Sequence, residues 1–117
     1  MNIQYKKGVI ELCILSILNK KDMYGYELSE YISNKIDISD GTVYPILRKL
    51  KADGFVKTYL SEDSGGPPRK YYSLTAQGHE FLQELEAAYS EIERAVNYVK
   101  NTPMKECSID NEKIIAK

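Results

Sequence analysis

Apolar residues crowd the first helical stretch. Val9, Ile10, Leu12, Cys13, Ile14, Leu15, Ile17 and Leu18 cover nearly every face of a helical wheel. A helix so apolar must be covered on more than one side, which a small domain cannot easily do alone. Asn19 to Asp22 is a polar break, after which Tyr24, Leu28, Tyr31 and Ile32 recur at helical spacing to about Lys35 and predict a second, shorter helix. Ser39 stands as the N-cap of a third helix, with Asp40 in its first turn, where the helix dipole favours negative charge. On that helix Val43, Ile46, Leu47 and Leu50 follow an i, i+3, i+4, i+7 pattern, which gathers them into one buried stripe. Gly41, Thr42, Pro45, Arg48, Lys49 and Ala52 then point away from the core, so small residues and two cations share a face that can lie against a groove. Gly54 supplies the C-terminal stop.

The pattern then changes period. Phe55 to Ser61 and Arg69 to Thr75 are rich in β-branched and aromatic residues and flank the turn-forming run Glu62 to Pro68, which predicts a β-hairpin with a long tip. Tyr71 and Tyr72 alternate across the second strand, and Tyr72 is the one expected inside. Thr75 caps a long helix in which Phe81, Leu85, Ala88, Ile92, Ala95 and Val99 alternate in steps of four and three. Leu82, Tyr89 and Val96 widen that seam, and a seam so wide calls for a second copy of the chain. Thr102-Pro103 ends the pattern, and the rest is mostly polar, with Ile109, Ile114 and Ile115 as isolated apolar positions. The expected division is a domain over residues 1–75, a dimerisation helix over 76–101 and a polar tail over 102–117.

Charge changes the picture only when divided by position. The net charge is −1, yet residues 1–75 hold eleven Lys/Arg and nine Asp/Glu, net +2, while residues 76–117 hold five and eight, net −3. Arg48, Lys49 and Lys51 cluster on the third helix, and Arg69 with Lys70 follows the hairpin tip. Other chemistry recedes. Cys13 and Cys107 have no CxxC spacing and read as free thiols, and no His/Cys cluster suggests a metal or another cofactor. His79 is the one histidine and has no nucleophile in a recognisable arrangement, so an enzyme is not expected. The stretch Val9 to Leu18 is far shorter than the ~20 residues a bilayer needs and lacks a signal-peptide cleavage site, so a cytoplasmic protein without membrane attachment is expected.

Three helices, a hairpin and a long helix give a mainly α fold with a β-hairpin wing, the order of a winged helix-turn-helix followed by a C-terminal dimerisation helix. In that architecture the third helix enters the major groove and the wing reaches the backbone. The candidate DNA-binding residues are Tyr24, Thr42, Tyr44, Arg48, Lys49, Arg69 and Lys70. Tyr44 either packs against the hairpin or touches a phosphate, and Tyr24 has the same two readings. Thr42 either supports the helix start or contacts DNA. Winged helices also serve as protein adaptors, a reading that predicts no salt-dependent affinity for DNA.

Three blocks, in order and at matching spacing, resemble the PadR family of transcriptional regulators in its smaller members with a single C-terminal helix. They are Tyr24-Gly25-Tyr26-Glu27-Leu28, then Gly41 to Leu50 with Asp53-Gly54, then Gly66 to Thr75 with Gly78. The resemblance implies a homodimer joined through its first and last helices that binds an inverted-repeat operator in double-stranded DNA, represses transcription and is released by a small molecule. Drug-sensing members resembled here stack planar cations on an aromatic residue, often tryptophan, in the middle of the last helix. This chain has Tyr89 near that position and Glu93 one turn later, which with Leu85 and Ile92 makes the candidate pocket for a small aromatic or cationic effector.

Overall fold

A computed structural model of the chain describes residues 7–39, 41–62 and 65–106 and divides into two compact units, residues 1–87 and 88–117. In the first unit, α1 (Lys7–Lys20), α2 (Gly25–Lys35) and α3 (Val43–Ala52) pack with a sheet of β1 (Met23–Tyr24), β2 (Val56–Ser61) and β3 (Arg69–Leu74) in the order β1-β3-β2. The helix α4 (Ala76–Asn101) begins in this unit and continues into the second, followed by a 3-10 turn at Met104–Glu106. Cys107, Ile109, Ile114 and Ile115, like Asp40, lie outside the described residues.

Periodicity accounts for the core. Ile14 and Leu15 of α1, Leu28 and Ile32 of α2, and Val43, Leu47 and Leu50 of α3 are all fully buried. Ile10 and Leu18 complete the buried stripe of α1, while Leu12 and Ile17 are only partly buried against the same core. Burial pushes the Cys13 thiol above the ordinary cysteine range, which makes it a poor thiolate. Tyr31, one of the residues whose spacing predicts this helix, is exposed, with the Lys35 ammonium 5.5 Å from its ring centre. Leu28, Ser29 and Ile32 already fill the inward face of α2.

The start of α3 also differs from expectation. Ser39 does not cap the helix. It closes a turn in which its carbonyl accepts from the Thr42 N–H at 3.1 Å and its hydroxyl lies 2.8 Å from that of Thr42, and the helix begins at Val43. Pro45 supplies the reason. In a helix begun at Ser39 it would lie beyond the first turn, where its ring would collide with the Gly41 carbonyl and a ladder bond would be lost. Begun at Val43, the helix holds Pro45 in its first turn, where no N–H has a helical partner anyway. At the other end Gly54 takes φ +82°, its N–H donates to the Lys51 carbonyl at 3.0 Å, and the Phe55 N–H donates to the Leu50 carbonyl at 2.9 Å. That is a Schellman closure, and it turns the chain directly into β2.

In the wing, Val56 pairs with Leu74, Tyr59 with Tyr71 and Ser61 with Arg69, while β1 adds Met23 opposite Tyr72 and Tyr24 opposite Tyr71. Tyr72 faces the core and Tyr71 the other side, as alternation requires. The strand β1 was not expected, because two residues are too few to show a period.

Thr75 caps α4. Its hydroxyl accepts from the Gly78 N–H at 3.0 Å and donates to the Gly54 carbonyl at 2.7 Å, and its own N–H donates to the Phe55 carbonyl at 3.1 Å. Gly78 has no room for a side chain: a Cβ there would collide with the Phe55 carbonyl oxygen and come within 2.8 Å of a Leu74 methyl. Phe81 stacks on Phe55 at 4.3 Å, Leu82 is buried, and Leu85 packs on the same core. The opening part of the expected seam is therefore used within the chain itself. In the second unit the seam residues Ile92, Val96 and Val99 are exposed, each by half or more.

Candidate nucleic-acid interface

Five of the seven residues proposed from sequence meet in one open cleft of about 420 Å3 in the first unit: Tyr24, Tyr44, Arg48, Arg69 and Lys70. They arrive from different elements. Tyr24 ends β1, Tyr44 and Arg48 lie one turn apart on α3, and Arg69 and Lys70 open β3 after the tip. Gly25 lets these walls approach. A Cβ at that position would sit 3.2 Å from Tyr44 Cε1 and 3.4 Å from Tyr72 Cε1, so the glycine leaves space that the two rings use. Gly25 and Tyr26 also line the cleft; the sequence marked them as part of a family block but not as DNA-binding candidates.

Among the described residues, Arg48, Arg69 and Lys70 have no carboxylate partner, which leaves three cations on one concave surface. The packing reading of Tyr44 is the one seen: its ring edge lies against Gly25, beside the Tyr72 ring, and the side chain remains 37% exposed at the cleft. The Tyr72 hydroxyl is pushed above the usual phenol range, chiefly by burial and then by Tyr44, with Arg48 acting in the opposite direction. It stays a neutral phenol beside the cations.

The other two candidates stand apart. Thr42 is half-buried and its hydroxyl is engaged with Ser39. Lys49 donates to Asp53 Oδ2 at 2.9 Å one turn along α3, and that carboxylate holds the ammonium above its ordinary pKa. The i, i+4 spacing of this pair was readable in the sequence. Within the cleft Tyr26 of α2 stacks on Tyr24 at 6.5 Å, and from there tyrosines continue across the outer face of the sheet: Tyr71 meets Tyr24 edge-on at 5.8 Å, and Tyr59 stacks on Tyr71 at 5.6 Å.

The candidate effector residues fall in different units. Leu85 packs on the core of the first, whereas Tyr89, Ile92 and Glu93 are exposed in the second. Among the described residues no helix is long and apolar enough to cross a membrane, and no group of His, Cys, Asp or Glu could hold a metal ion.

The model of the transcriptional regulator PadR-like family matches residues 14–84, a span that holds the whole cleft. The crystal structure of a PadR-like transcriptional regulator from Bacillus cereus is similar, with a TM-score of 0.76 and 34% identity over 83% of this chain and 96% of that one. Transcriptional regulator Rv3488 of Mycobacterium tuberculosis is 30% identical over 96 residues, which cover 80% of this chain and 87% of that protein. The Negative transcriptional regulator PadR of Bacillus subtilis is 26% identical over 80 residues, 65% of this chain and 44% of that longer protein.

Proposed function

The chain belongs to the PadR-like family of transcriptional regulators, and from that premise we propose that it is a homodimeric repressor that grips double-stranded DNA through the cleft between α3 and the wing. The observation that carries this reading is the convergence of Arg48 from α3 with Arg69 and Lys70 from β3, none with a carboxylate partner among the described residues. With α3 in the major groove, Arg48 reaches base edges, where a guanidinium can fork onto guanine. Arg69, Lys70 and the Tyr44 hydroxyl hold phosphates, which fixes register without reading sequence. Thr42, just before α3, and Lys49, in its last turn, lie outside the cleft and add contacts at the edges of the site.

The exposed Ile92, Val96 and Val99 face of α4 supports pairing with a second copy. A two-fold dimer reads an inverted repeat whose half-sites are one or two helical turns apart, ~34 Å per turn. Repression follows the relative in Bacillus subtilis, which is named as a negative regulator. Release by a small planar aromatic or cationic effector rests on Tyr89 for stacking and Glu93 for charge. In this reading the chain acts by binding, without catalysis.

The test is a mobility shift on the DNA upstream of the protein's own gene. Arg48→Ala should cost about 1–3 kcal/mol on the protected site and relax its specificity. Lys70→Ala should weaken all sequences alike and flatten the salt dependence by about 0.9 in log–log slope for each phosphate no longer neutralised. Parental affinity in a folded Arg48→Ala, Lys70→Ala variant would overturn the proposal and move the domain to the adaptor class.

A further inference from the structure

We propose that Tyr24 is a positioning residue: its ring holds the Arg69 guanidinium at the base of the wing, and it acts on DNA through Arg69 rather than through its own hydroxyl. The proposal rests on the DNA-binding reading above and assigns a division of labour inside that site. The guanidinium carbon of Arg69 lies over the Tyr24 ring at 4.5 Å from its centre, well within the range of cation–π attraction. Arg69 is the first residue of β3 after the Gly65–Pro68 tip, and its side chain is exposed. An unrestrained arginine there would lose much of its rotamer freedom on gripping a phosphate. Attraction to a ring engages the charge and leaves the N–H donors free, so the same guanidinium can be held and still bind phosphate.

The ring is itself fixed. Tyr24 pairs in register with Tyr71 and Tyr71 with Tyr59, so the three side chains share one face of the sheet with Arg69. Tyr71 packs edge-on against Tyr24, and Tyr59 stacks on Tyr71 with planes 14° apart. The Tyr59 hydroxyl donates to Asp22 Oδ2 at 2.6 Å, and Asp22 immediately precedes β1. The chain of interactions thus returns to the strand from which Tyr24 projects. Rings braced in this way form a platform of fixed position under a flexible cation.

The experiment is a double-mutant cycle, read as operator affinity and as the salt slope, on variants whose melting curves show that they are folded. Tyr24→Phe keeps the ring and should bind like the parent, whereas Tyr24→Leu should weaken binding about five- to thirtyfold for a dimer with two such pairs. In an Arg69→Ala background, Tyr24→Leu should cost nothing further and should leave the salt slope unchanged. Equal losses for Tyr24→Phe and Tyr24→Leu would overturn the proposal in favour of a hydroxyl contact. An undiminished cost of Tyr24→Leu in the Arg69→Ala background would overturn it in favour of plain sheet packing. If the parent protein shows no salt-dependent DNA affinity, the DNA-binding reading falls first, and this proposal falls with it.

Discussion

Replacing Gly78 with alanine adds one methyl group at the most crowded of the described glycines. The new Cβ collides with the Phe55 carbonyl oxygen, lies 2.9 Å from the Phe55 carbonyl carbon and 2.8 Å from a Leu74 methyl. The leucine can rotate away, but the carbonyl cannot, because it accepts the Thr75 N–H at 3.1 Å and belongs to the turn that closes α3. Relief requires the first turn of α4 to move off Gly54 and Phe55. That movement breaks the Thr75 N–H bond to Phe55 and the Thr75 hydroxyl bond to Gly54. Two hydrogen bonds at about 1 kcal/mol each and overpacking of at least about 1 kcal/mol give a loss of about 3 kcal/mol. For a domain of this size the melting temperature should fall by roughly 12–24 °C. Thermal circular dichroism at one fixed protein concentration reads this directly, since subunit association also shifts the midpoint. Gly8→Ala is the control: nothing lies within 4 Å of its Cβ, α1 is helical there, and the midpoint should hold or rise. A Gly78→Ala protein that melts within two or three degrees of the parent, as about 0.5 kcal/mol would give, refutes the reasoning.

Three other outcomes are expected. Asp53→Asn frees Lys49 from its partner and should raise affinity for operator and random duplex alike by a few-fold, as anisotropy titrations at matched salt will measure; unchanged affinity for both would mean that Lys49 does not face DNA. Ile92→Glu or Val99→Glu should convert a dimer of about twice the 13.4 kDa chain mass into folded monomer in sedimentation, and a variant that remains dimeric places the interface elsewhere. With Cys107 replaced by serine, Cys13 should react with a disulfide reagent more slowly at pH 8 than a free cysteine does, because a raised pKa means less thiolate at that pH; reaction as fast as free cysteine would contradict its burial.

The stripe Val43, Ile46, Leu47, Leu50 was legible from spacing alone, and so were the stop at Gly54, the cap at Thr75 and the inward Tyr72. Each depends on a local rule of helical period, left-handed turn, side-chain cap or strand alternation. What failed depended on competition or on partners. Ser39 carries a good cap signal, but Pro45 six residues later decides where the helix can begin. Periodicity on α4 says that a face is buried without saying by what, so Phe81 and Leu85, which pack on their own core, looked the same as Ile92 and Val99. The cations of the cleft were visible as basic residues; their meeting was not, because it depends on how the sheet is placed relative to α3, a long-range arrangement with no local signature.

The hydroxyl of Thr75 joins the end of α3 to the start of α4 within one residue's reach. The consequence is for anyone recombining such regulators. A chimera cut between β3 and α4 would separate Thr75 from either Gly54 or Gly78, and Phe55 from Phe81. A working splice has to carry the wing together with the opening turns of α4, so that the smallest exchangeable cassette for changing operator preference runs on to about Ala87, where the first compact unit ends.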